Sequence, residues 1–209
     1  FAAGPTIWAP GSELIGRRWP LSLGLFGCAI FTIACAVAKD IQTVMICRFF
    51  AGLFSASPIS VVPAVFADLF NNTQRGVVMS IFCMAVFIGP FSAPFVGGFI
   101  AMSSLGWRWT MYISAIMVFL GFVLVFAFLE ETYAPVILVR KAATLRRQTR
   151  NWGIHAKQDE VEVDLTELLR NNFARPIVML ITEPILLLVS LYISFVYGLI
   201  YALLGAYPV

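Results

Sequence analysis

The chain has 209 residues, of which 60% are hydrophobic and only 12% charged, and its mean hydropathy is +0.90. Soluble chains carry about 25% charged residues, so this one lacks the polar surface to coat a water-facing globule. A cytosolic enzyme, a secreted disulfide module and a nucleic-acid reader are excluded, and a formal net charge of +3 is too small to imply a polyanionic partner.

In chain order, residues 1–10 are apolar but too short to cross a bilayer. A link, 11–18, leads to a first full span at 19–38, which contains no charge. Further apolar stretches follow at 43–66, 77–102, 109–129 (also without charge) and 177–204. At about 1.5 Å of helical rise per residue, each can cross a hydrocarbon core of about 30 Å. The expected fold is an all-α integral membrane bundle of one partial and five full spans. It divides into a transmembrane bundle over 1–129, a central loop over 130–175 and a further span over 176–209. The first residue is not Met, and the economical expectation is an excerpt that opens partway through a helix.

Orientation follows from Lys and Arg in the connections. Segments 11–18, 67–76 and 130–175 lie on one side and carry eleven of these residues. The opposite connections carry only Lys39 and Arg108, so the 130–175 loop is expected in the cytoplasm. Trp107 and Trp109 flank the outer boundary and Trp19 an inner one. A sequon at Asn71 falls on the cytoplasmic side and should stay unglycosylated in a microsomal insertion assay.

The loop is polarised. Arg140, Lys141, Arg146, Arg147 and Arg150 form a block without acidic residues, followed by Asp159, Glu160, Glu162, Asp164 and Glu167. The basic block is expected to form a helix on anionic headgroups, where each cation contributes about 1 kcal/mol. A solvated linker is the alternative. Forty-six residues with few apolar anchors do not build a catalytic domain.

Within the spans, small residues at every fourth position allow helices to approach closely. Gly52, Ala56, Ser60 and Ala64 form one stripe; Gly89, Ala93, Gly97 and Ala101 form another, with Pro90, Pro94 and Gly98 beside it. Bundle packing alone accounts for both, but not for the charge of Arg48 just outside the first. A charge in a span costs about 2.5–3.5 kcal/mol at the helix centre and faces a cavity or partner, although Arg48 is shallow enough to snorkel outward. Glu183, before Pro184 in the last span, poses the same choice. Asp68 ends the second full span on the side of Glu13, Gly16, Arg17 and Arg18, where charge-assisted pairs can hold helix ends together; positive-inside anchoring is the plainer reading of the two arginines. Cys28, Cys35, Cys47 and Cys83 lack metal-ligand spacing and read as small apolar fillers. His155 stands alone in the polar loop. No nucleophile–base pair, phosphate cradle, metal site or cofactor site is evident.

The ordered set of motifs resembles the major facilitator superfamily, and within it the fungal drug:proton antiporters that include multidrug and polyamine exporters. Gly4-Pro5 and Trp8-Ala9-Pro10 lead into Ser12-Glu13-Leu14-Ile15-Gly16-Arg17-Arg18, similar to the superfamily's inner-gate signature between its second and third spans. Arg48 and Gly52 match the Arg-x-x-x-Gly of the fourth. The segment from Gly89 through Pro90, Ala93, Pro94 and Gly97 to Gly98 is similar to the antiporter signature of the fifth. Trp107-Arg108-Trp109 and Thr182-Glu183-Pro184 are typical of the fungal branch. Glu13 stands where the signature has Asp, and Ala93 where it has Gly.

The resemblance implies two six-helix halves rocking about a central site, in a multi-pass protein of the plasma membrane that is monomeric when complete. Glu13, Gly16, Arg17, Arg18 and Asp68 would form the inner gate, Arg48 and Glu183 would serve proton coupling, and the fifth span would line the contact between halves. Tyr197 and Tyr201, one turn apart, are candidate cavity residues for a cationic solute, with helix packing or an aromatic belt as the alternative. The implied function is proton-coupled export of small amphipathic or cationic solutes such as drugs and polyamines, with no cofactor. The excerpt, from the second to the seventh span, is expected to be inactive alone. A multi-span receptor or scaffold is the alternative, and an integral-membrane enzyme a weaker one, since the sequence has a single His.

Overall fold

The computed structural model describes residues 1, 3–104, 106–156 and 175–206. The acidic block from Asp159 to Glu167 lies outside the described residues. Eight helices are found among those described: α1 (Gly4–Ile15), α2 (Arg18–Val37), α3 (Ile41–Leu69), α4 (Asn72–Met102), α5 (Arg108–Phe128), α6 (Ala134–Thr149), α7 (Arg175–Thr182) and α8 (Pro184–Ala206). Five of them, α2 to α5 and α8, are long and apolar enough to cross a membrane.

Two details of the sequence reading are corrected. The link expected over 11–18 is mostly helix, since α1 continues through Gly11 and Ser12 to Ile15. Ser12, a turn former by type, instead donates its hydroxyl to the Ala9 carbonyl at 2.7 Å and is buried within the helix packing. Only Gly16 and Arg17 remain between α1 and α2. The expected span over 177–204 is interrupted at Glu183, because Pro184 has no N–H for the helical ladder. The break is slight: the Glu183 N–H donates to the Met179 carbonyl at 2.9 Å, and its own carbonyl accepts from Leu187 N–H at 3.2 Å.

Two compact units make up the chain, Phe1–Glu162 and Val163–Val209. In the first, α2 packs along both α3 and α5, and α1 lies on α3. Lipid offers helices little hydrophobic reason to associate, so close van der Waals contact must hold them. Three glycines supply it. A Cβ on Gly4 would run into Ala56, one on Gly24 into Ser57, and one on Gly27 into the Phe54 ring. Ser57, fully buried, uses the close approach to donate its hydroxyl to the Pro20 carbonyl at 2.9 Å. Trp8 Nε1 donates to the Leu53 carbonyl at 2.9 Å and fixes α1 on α3. Phe31 stacks on Phe50 and Phe54 at 5.1 and 5.6 Å, and Leu21, Val61 and Val65 continue the core below.

Helix α4 contrasts with these. It has no buried residue. Near its start the Arg75 guanidinium donates to the Ala67 carbonyl at 2.9 Å, and the edge of Phe82 meets Phe66 at 5.9 Å. Farther along, nothing among the described residues lies within 4 Å of a Cβ built on Gly89, Gly97 or Gly98.

Candidate functional site

The densest polar cluster among the described residues forms at one end of the first unit, where α1, α2, α3 and α5 end. Its centre is Arg17, only 7% exposed. Its Nε pairs with Asp68 Oδ2 at 3.2 Å, and its Nη1 donates to Ser12 Oγ at 2.6 Å. The guanidinium also lies over the Tyr133 ring, 4.8 Å from the centroid. A buried arginine needs such partners, because an unpaired charge out of water costs several kcal/mol. The three partners come from α1, the end of α3 and the strand of chain after α5, so one side chain ties three segments.

Arg18 makes a fourth tie. Its Nη2 donates to the Phe126 carbonyl at 2.9 Å and its charge lies over the Phe126 ring. That carbonyl is in the last turn of α5, where acceptors lack helical partners and a cation complements the helix dipole.

Glu131 completes the cluster. Oε1 accepts from the backbone N–H groups of Arg17 at 2.8 Å and of Thr132 and Tyr133 at 3.1 Å each, and Oε2 accepts from Arg18 N–H at 3.4 Å. The carboxylate therefore sits at the N-terminus of α2, where free N–H groups and the dipole favour an anion. Gly16 makes room for it. Its backbone has φ 102° and ψ 168°, a conformation nearly restricted to glycine, and a Cβ there would strike the Glu131 carboxylate.

Of the residues expected at an inner gate, Gly16, Arg17, Arg18 and Asp68 are thus brought together. Glu13 is exposed, and its side chain forms no hydrogen bond or ion pair among the described residues. The sequence reading missed Glu131, Tyr133 and the pairing role of Ser12. The one signal for Glu131 was its position two residues after an apolar span, on the side richest in cations.

The sequence profile described as Major Facilitator Superfamily matches residues 1–209. The chain belongs to the major facilitator superfamily. It is 50% identical over its whole length to the multidrug transporter TPO1_2 of Candida glabrata, covering 36% of that relative. It is also 50% identical to the major facilitator superfamily multidrug transporter FLU1 of Candida albicans and 48% identical to the ascochitine biosynthesis cluster MFS transporter of Didymella fabae. All of this chain aligns in both, against 34% and 40% of their lengths. The chain thus spans a little over a third of the curated relatives it matches. These relatives are named as transporters and none as an enzyme.

Among the described residues of this superfamily member, the remaining candidates of the first unit contribute no contact to the Arg17 cluster, and Glu183, Tyr197 and Tyr201 belong to the second unit. Arg48, near the start of α3, is exposed and donates to Met111 Sδ on α5 at 3.5 Å; no carboxylate approaches it among the described residues. Glu183 is exposed at the joint between α7 and α8. Tyr197 and Tyr201 stack within α8, with centroids 6.5 Å apart and planes 24° apart. Gly89, Ala93, Pro94 and Gly98 are exposed on α4, while Pro90 and Gly97 are half-buried.

Proposed function

We propose that this chain is part of a proton-coupled exporter of small amphipathic or cationic solutes, drugs or polyamines, that works by alternating access. The single observation that carries the reading is the cluster around Arg17. Alternating access needs helices that move as one rigid half and an end that can seal. Arg17, Arg18 and Glu131 join the ends of α1, α2, α3 and α5 into such a unit, at the end where a gate against a second half would close. The names of the multidrug relatives support the solute class.

In this reading 1–129 belongs to the first half, 130–175 is the cytoplasmic central loop and 176–209 opens the second half. The complete protein is a monomer in the plasma membrane. The open face of α4 meets the other half. Arg48 and Glu183 serve proton coupling, and Tyr197 and Tyr201 offer π faces to a cation. Among the described residues Arg48 has only a thioether partner, which leaves its charge available to an acid on a neighbouring span.

The test is efflux from cells or vesicles holding the intact protein under an imposed pH gradient, with polyamines and azole-type drugs compared. The wild type should export at least one of them against its gradient, and Arg48→Ala should abolish efflux at unchanged surface expression. Full efflux from that variant would remove Arg48 from coupling, and wild-type efflux indifferent to the pH gradient would remove proton coupling altogether.

A further inference from the structure

Helix α6 has two unlike sides. Pro135 in its first turn fixes the helical start. Pro135, Val136, Val139, Ala142, Ala143 and Arg146 recur at helical spacing and are buried or half-buried, Ala142 most of all. The other side is exposed and mixes apolar with cationic groups. Ile137, Leu138 and Leu145 are 41%, 57% and 37% exposed, and Lys141 lies among them by helical spacing. Arg140 and Arg147, a heptad apart, are exposed along its edge. No acidic residue interrupts the helix.

This side suits neither bulk water nor hydrocarbon. Aliphatic side chains beside cations fit the boundary between acyl chains and anionic headgroups. Arg150 turns into the left-handed region at φ 54° and ends α6. A free phosphate would have no use for the exposed Ile137, Leu138 and Leu145 beside Lys141; a lipid does.

Position agrees. Five residues, 129–133, separate the end of α5 from the start of α6, a reach of at most about 20 Å. Midway, Glu131 is clamped to the N-terminus of α2. The first turn of α6 is therefore held at the end of the spanning helices.

We propose that α6 is an interfacial helix that docks on anionic phospholipid headgroups through Ile137, Leu138, Lys141 and Leu145, with Arg140 and Arg147 at its edge. The proposal goes beyond solute export. It shares with that reading only the side of the membrane on which the loop lies.

The experiment is hydrogen exchange of the 134–150 amides in the intact protein. Nanodiscs of phosphatidylcholine alone are compared with nanodiscs of phosphatidylcholine and phosphatidylserine in equal parts. A nanodisc presents the same lipid on both faces and the readout is not transport, so the result is independent of topology and of the export reading. Each cation near an anionic surface contributes about fivefold in affinity. Exchange should slow by about tenfold or more in the anionic discs at low salt, and high salt should remove the difference. The triple variant Arg140→Gln, Lys141→Gln, Arg147→Gln should exchange at the phosphatidylcholine rate in both. Equal rates in the two lipids for the wild type overturn the proposal. So does slowing that survives in the triple variant. Slow exchange in both lipids, relieved by the triple variant, identifies an acidic protein segment as the occupant and overturns it as well.

Discussion

Two stripes of small residues, alike in sequence, have different fates. Gly52, Ala56, Ser60 and Ala64 on α3 lie in the most closely packed part of the molecule, with Ala56 fully buried against Gly4. Gly89, Ala93, Gly97 and Ala101 on α4 have the same spacing, yet no buried residue lies on that helix. The difference is the partner. Opposite the first stripe and its neighbour Ser57 stand glycines on α1 and α2, which let backbones close in; opposite the second, the described residues offer nothing. A small-residue stripe thus marks a capacity for close approach. Whether it is used depends on the facing sequence.

Substitutions that fill each stripe break or sharpen this contrast. The largest effect is expected from Gly24→Leu, which forces a side chain into Ser57 and separates α2 from α3; over-packing of this kind costs about 3 kcal/mol. Thermal unfolding of the purified protein in detergent should show a large loss of stability. Arg17→Ala comes next. It strips Asp68 and Ser12 of their shared donor, at about 2 kcal/mol, and should loosen α1 and α3 together. Arg17→Lys should recover only part, since an ammonium cannot reproduce the two-sided fork or the stack on Tyr133. Limited proteolysis at the α1–α2 turn reads this directly. Gly16→Ala should cost about 1–3 kcal/mol through its positive φ and the displaced Glu131, a loss visible in the same unfolding assay. Smallest in stability is Gly97→Leu on the open stripe, within about 0.5 kcal/mol. It should nonetheless lower solute efflux if α4 meets a second half. Equal destabilisation by Gly24→Leu and Gly97→Leu would erase the distinction between the stripes.

The sequence made some of this plain and hid the rest for identifiable reasons. The spans were legible because apolar runs such as 109–129 carry no charge at all. Arg17 and Asp68 were legible as partners because both end apolar spans on the same side. Glu131 was not, since it acts 114 residues from Arg17, through backbone N–H groups that carry no sequence signal. Nor was the true end of α1. Pro10, Gly11 and Ser12 are helix-breaking types, but the Ser12 hydroxyl finds both the Ala9 carbonyl and Arg17 Nη1, and tertiary contact overrides local preference. Glu183 before Pro184 was legible as a special position, while the division of the helix there required the backbone.

The central claim is that Arg17 and Asp68 act as one unit that fastens the helix ends. A double-mutant cycle of Arg17→Ala and Asp68→Ala, read by unfolding of the intact protein in detergent, tests it most directly. The two residues in contact should show a coupling of about 1–3 kcal/mol, the double variant losing clearly less than the two single losses combined. Losses that simply add would mean that the pair does not hold α2 to α3, and would contradict the account.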